Sequence, residues 1–81
     1  MRVQLRLFAI AKSLAGRSVI DLDLPEPATV ADLKRAVSEL FPQLSPWLPM
    51  IRFAVDSTYA TDETPIVATS ELAAIPPVSG G

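Results

Sequence analysis

The sequence predicts an α+β domain, a single mixed sheet of four to five strands packed on one main helix. Three observations point there. Several short segments alternate apolar and polar residues with a period of two. One run repeats at helical spacing. A lone helix is too few for a sheet covered on both faces. The first strand is "RVQLRLF", residues 2–8, with Val3, Leu5 and Leu7 on one face and Arg2, Gln4 and Arg6 on the other. That is the alternation of a half-buried strand. Phe8 falls by parity on the wet side, with Gln4 and Arg6. "SLAG" closes the stretch, with Gly16 as the turn residue. "SVIDLDL", residues 18–24, alternates again: Ile20, Leu22 and Leu24 point in, Asp21 and Asp23 point out. The two segments are expected to form a hairpin. Their connection, near residues 9–17, is longer than a tight turn, and no element is predicted in it.

The period changes in "PEPATVADLKRAVSELFP". Thr29 is a good N-cap, and Asp32 three residues later completes a capping box with the shorter acid. Val30, Leu33, Val37 and Leu40 make an apolar stripe, with Ala36 and Phe41 beside it. Asp32, Lys34, Arg35, Ser38 and Glu39 take the other side. Pro42 disfavours helical geometry at Phe41 and ends the run after about three turns. "PQLSPWLP" reads as a stiff, apolar connection, with Trp47 packing under its own loop in preference to anchoring a partner. "IRFAV", residues 51–55, alternates with Ile51, Phe53 and Val55 inward. Short strand pieces are expected at 58–60 and 66–67. "ELAAI", residues 71–75, forms the last strand, with Leu72 and Ala74 on one face and Ala73 and Ile75 on the other. A compact sheet requires the first and last strands to be parallel neighbours. The body is expected to span 1–75 and an extended tail 76–81.

With 81 residues and 49% hydrophobic content, the chain is one small globular domain. It has no cysteine and no histidine. That excludes disulfides, thiolate metal sites and a cysteine nucleophile, and removes the commonest general base. Asp21 and Asp23 alternate on one strand face as carboxylates of a solvated strand do, Asp62-Glu63 is an acidic turn, and Lys12 and Lys34 are isolated. No glycine-rich phosphate loop exists. The chain is poorly equipped to be an enzyme alone. No apolar run is long enough for a membrane span. The start "MRVQLRLFAIAKSLAG" is interrupted by Arg6 and Lys12 and makes a poor secretion signal, so a cytoplasmic location is expected, with no membrane partner. All seven Lys and Arg lie in residues 1–52, whereas residues 53–81 hold Asp56, Asp62, Glu63 and Glu71 and no base. No clustered positive charge marks a nucleic-acid partner. The acidic second part suits a partner with a basic surface.

The sequence closes on "IPPVSGG", residues 75–81. Pro76 and Pro77 fix φ and lack a backbone N–H, so a sheet ladder stops there and an extended arm begins. Val78 offers a grip for a groove. Ser79, Gly80 and Gly81 are slim enough for a channel too narrow for larger side chains. The reactive group is then the α-carboxylate of Gly81, which becomes an acyl donor once joined to AMP. The plainer alternative is a frayed end.

The stretches "LFAIAKSLAG" (7–16), "FAVD" (53–56) and "AIPPVSGG" (74–81) together resemble the small, sulfur-carrying subunits of molybdopterin synthase, the MoaD/ThiS-like family. The resemblance implies a β-grasp, ubiquitin-like fold. It implies that an E1-like adenylating enzyme activates Gly81 with ATP and that a sulfur donor system converts it to a thiocarboxylate. It implies that the domain docks on the large synthase subunit, where the tail delivers sulfur to cyclic pyranopterin monophosphate to build the molybdopterin dithiolene. The chain itself would bind no cofactor and no metal, the catalytic side chains belonging to the large subunit. The family's apolar docking patch carries over onto Phe8, Tyr59 and Ile75. Two features depart from the pattern: Asp56 stands where relatives usually have Asn, and "ATSE" (68–71) replaces an Asp-Gly-Asp turn. Sister sulfur carriers for thiazole or tRNA thiolation, a ubiquitin-like protein modifier, and an interaction domain with an idle tail are the alternative readings.

Overall fold

Strand β1 (Arg2–Leu7) organises the sheet in the computed structural model, which describes residues 1–77. It pairs antiparallel with β2 (Val19–Asp23), placing Arg2 opposite Asp23 and Leu5 opposite Ile20. On its other side it pairs parallel with the last strand, β7 (Leu72–Ile75), as compactness requires. Beyond β7 lie β4 (Arg52–Val55) and β5 (Thr58–Tyr59), both antiparallel to their neighbours, giving the order β2-β1-β7-β4-β5. A small second sheet joins β3 (Ala28–Thr29) to β6 (Pro65–Ile66).

One face of the main sheet is dry. Val3, Leu5, Leu7, Ile20, Leu22, Phe53, Leu72 and Ala74 are buried there, against Val30, Leu33 and Val37 of α2 (Val30–Leu40). Thr29 opens that helix as expected: its backbone N–H donates to the Asp32 carboxylate at 2.8 Å. This bond, reinforced by the Thr29 hydroxyl and the Arg35 guanidinium, holds the Asp32 carboxyl below its ordinary pKa.

Three expectations change. The connection near residues 9–17 contains a helix, α1 (Ala9–Ala15). Seven residues are too few to display helical periodicity, and Ala11 is the one residue of α1 that is fully buried. Gly16 acts as its C-cap, at φ 76° and donating its N–H to the Lys12 carbonyl at 2.9 Å. Leu40 is 53% exposed although it continues the apolar stripe. The chain turns at Phe41, and Leu44 is the leucine that enters the core instead. The proline-rich connection is a 3₁₀ helix, Pro42–Met50. Proline's fixed φ suits that geometry, and Pro42 occupies its start, where an N–H has no partner to find. Trp47 is half-buried against the core, as expected. No helix among the described residues is long and apolar enough to cross a membrane.

Because the folded pKa of Asp32 is depressed, its contribution to stability is present above the unfolded carboxylate range and lost as pH falls through the folded value. Asp32→Asn is therefore expected to be less stable than wild type near neutrality, with a gap that narrows as pH falls through and below the ordinary carboxylate range. Urea-denaturation midpoints across that range check this; a constant gap would separate Asp32 from the pH dependence.

Candidate functional site

Among the described residues, no helix lies on the other face of the sheet. Strand register places its residues in rows. Val19 lies opposite Arg6, Arg6 beside Ala73, Ala73 opposite Ala54, and Ala54 opposite Tyr59. One step further along the strands, Ile75 lies opposite Arg52, and Phe8 follows Leu7 at the end of β1. Phe8, Tyr59 and Ile75 line one shallow concavity of about 730 Å³. Phe8 is 46% exposed, Tyr59 58% exposed and Ile75 half-buried. The three residues thus come together on the open face. The parity that predicts Phe8 and Ile75 to point outward agrees with this arrangement. The Arg52 guanidinium stacks on the Tyr59 ring, 4.9 Å from its centroid, a cation–π contact that orients both side chains.

The hairpin that presents Tyr59 turns through Asp56 and Ser57, with Val55 opposite Thr58. Both turn residues have left-handed backbones, φ 52° and 68°. Such a two-residue turn matches the strand twist and normally uses Asn-Gly. Here it is secured from a distance. The Asp56 N–H donates to the Glu71 carbonyl at 2.8 Å, and the Glu71 N–H donates to Asp56 Oδ1 at 2.8 Å. The departure from Asn at this position therefore keeps a side-chain oxygen acceptor in place. In the turn before β7, the Ser70 N–H donates to the Val67 carbonyl at 3.0 Å and the Val67 N–H to Ser70 Oγ at 3.0 Å, so the segment closes without glycine.

β7 stops at Ile75. Pro76 is buried and Pro77 exposed, and neither belongs to a strand. The remaining tail candidates, Val78, Ser79, Gly80 and Gly81, lie outside the described residues. Arg6, Val19 and Arg52 join the face without having been singled out from sequence. Parity placed Arg6 with Phe8, but only the register of β4 against β7 sets Arg52 beside Ile75.

A mixed five-stranded sheet clasping one main helix, with its first and last strands parallel, defines a β-grasp, ubiquitin-like protein. The chain belongs to the ThiS family, whose model matches residues 5–81. It is 38% identical over 78 residues to the molybdopterin synthase sulfur carrier subunit of Dictyostelium discoideum, a match covering 93% of this chain and 91% of that one. Among solved structures it resembles SAMP1, a small archaeal modifier protein from Haloferax volcanii, with a TM-score of 0.89 and 29% identity over the whole of both chains. It also shares its fold with a chain in the complex of subunits 1 and 2 of molybdopterin-converting factor from Helicobacter pylori. There the TM-score is 0.71 and the identity 23%, over the whole of both chains.

Asp56→Ala is expected to lower stability by about 1 kcal/mol or more, because it leaves the Glu71 N–H without its acceptor and puts alanine at positive φ. Asp56→Asn keeps both features and is expected to stay within about 0.5 kcal/mol of wild type. Chemical denaturation compares them, and equal losses would show that the side-chain oxygen does not secure the turn.

Proposed function

We propose that this chain is the sulfur carrier of molybdopterin synthase. The Gly81 carboxylate attacks the α-phosphate of ATP on an E1-like enzyme, releasing pyrophosphate and forming an acyl-adenylate. A sulfide-level sulfur from the donor system then displaces AMP, leaving a thiocarboxylate. The charged domain docks through Phe8, Tyr59 and Ile75 on the large synthase subunit. Residues 76–81 carry the sulfur into that subunit's active site, for transfer to cyclic pyranopterin monophosphate. The chain binds no cofactor itself, and ATP is consumed by the activating enzyme.

The observation that carries this reading is the junction at Ile75. The last strand runs through the middle of the sheet, ends at two prolines, and does so beside an open face bearing exposed Phe8 and Tyr59. Family membership supports the sulfur chemistry, and the Helicobacter pylori complex supports a partner of the large-subunit kind. It also accounts for the lack of cysteine and histidine, since a carrier borrows its catalytic groups.

The likeness to a small archaeal modifier protein favours a second reading, attachment of Gly81 to lysines of other proteins. Intact-mass measurement separates the two. Incubation with ATP, an activating enzyme and a sulfur donor is expected to shift the mass by one oxygen-for-sulfur exchange. Deleting Gly80 and Gly81 abolishes the shift without changing the denaturation midpoint. An unmodified mass under those conditions contradicts the carrier reading, and isopeptide-linked lysine adducts in cells would establish the modifier.

A further inference from the structure

The open face is electrically polarised along its strands. Among the described residues, three of the seven cations have an ion-pair partner: Arg2 with Asp23, Lys34 with Asp62 and Arg35 with Asp32. Arg6, Lys12, Arg17 and Arg52 form no ion pair among the described residues. Two of these stand on the open face. Arg6 lies between Val19 and Ala73, and Arg52 lies opposite Ile75 with its guanidinium on Tyr59. Lys12 and Arg6 also line a second, smaller depression on which Phe8 borders. The unpaired acids of this face sit at the other end of the parallel strands: Asp21 opposite Gln4 and Glu71 just before Leu72, with the Arg2–Asp23 pair adding no net charge there. Positive charge therefore collects where β1 and β7 end, which is where the chain passes into Pro76.

A guanidinium inside an apolar patch loses its hydration when a partner covers it. That loss is costly unless oxygen acceptors replace the water. Among the described residues none offers an acceptor to Arg6 or Arg52, which leaves the acceptors to whatever docks. We propose that the partner seated on this face is a folded protein whose apolar docking surface carries carboxylates over Arg6 and Arg52, and that this pairing sets the orientation in which the tail is handed over. The proposal rests on the functional reading above, so the partner is the large synthase subunit. Opposite charges at opposite ends of the face leave one favourable orientation, because a reversed partner would bring its carboxylates onto Asp21 and Glu71.

The test measures binding of the large subunit from the same genome to the full chain and to Arg6→Glu, Arg52→Glu and Arg35→Glu, at low and high salt. Arg35 is on α2, away from the open face, and serves as the charge control. Denaturation midpoints confirm that each variant is folded. Wild type is expected to bind with an affinity that falls as salt rises. Arg6→Glu and Arg52→Glu should each weaken binding by about tenfold or more, with slower association, and Arg35→Glu should stay within about twofold. Binding of wild type with no loss in Arg6→Glu and Arg52→Glu overturns the charge pairing and leaves the carrier reading standing. No binding by folded wild type overturns the carrier reading, and this inference with it. Salt-sensitive dimerisation of the chain alone, lost in Arg6→Glu, would assign the face to a second copy and also overturn the proposal.

Discussion

The parallel pairing of β1 with β7 is the constraint on which everything else depends. Leu5 sits beside Leu72, Arg6 beside Ala73 and Leu7 beside Ala74. β7 is also bonded to β4 on its far side, from Arg52 opposite Ile75 to Val55 opposite Leu72. The last strand is thus interior to the sheet, with Leu72 and Ala74 sunk in the core. A strand held on both sides cannot slip register without turning its buried residues to the other face. The ladder can only end where N–H groups run out, at Pro76 and Pro77. The exit point of the tail is fixed by the same contacts that hold the core.

A single sheet has two faces, and this small domain uses them differently. One face is spent on α2 and supplies the stability that a chain of this size needs. The other is left open and carries Phe8, Tyr59 and Ile75 with Arg6, and Arg52 opposite Ile75. Two guanidiniums keep this patch hydrated while it is free. They also require acceptors if a partner covers it. The Asp56–Glu71 pair of hydrogen bonds ties the Tyr59 hairpin to the entry of β7.

Half-buried strands were legible in the sequence because period-two alternation survives in short segments. Val3, Leu5 and Leu7 in β1, and Ile20 and Leu22 in β2, are the plain cases. The main helix was legible from Val30, Leu33 and Val37 together with the Thr29–Asp32 cap. α1 was not, because seven residues with one buried alanine carry no detectable period. The burial of Leu44 in place of Leu40 depends on a change of chain direction that periodicity does not encode. The Asp56-Ser57 turn was obscure for another reason: its support comes from Glu71, fifteen residues away. On the open face, parity alone placed Phe8 and Ile75 outward. Tyr59 came from family likeness, and Arg52 required the register of β4 on β7. The tail residues stood out by type, but the burial of Pro76 depends on packing.

Amide hydrogen exchange on β7 tests the anchoring of the last strand most directly. If β7 is an interior strand, its amides should exchange only through global unfolding, as slowly as those of β1 and far more slowly than those of β5 at the sheet edge. Exchange of the Ala73 and Ala74 amides as fast as that of Tyr59 would contradict it. The tail would then hang from a frayed edge and not from the centre of the sheet.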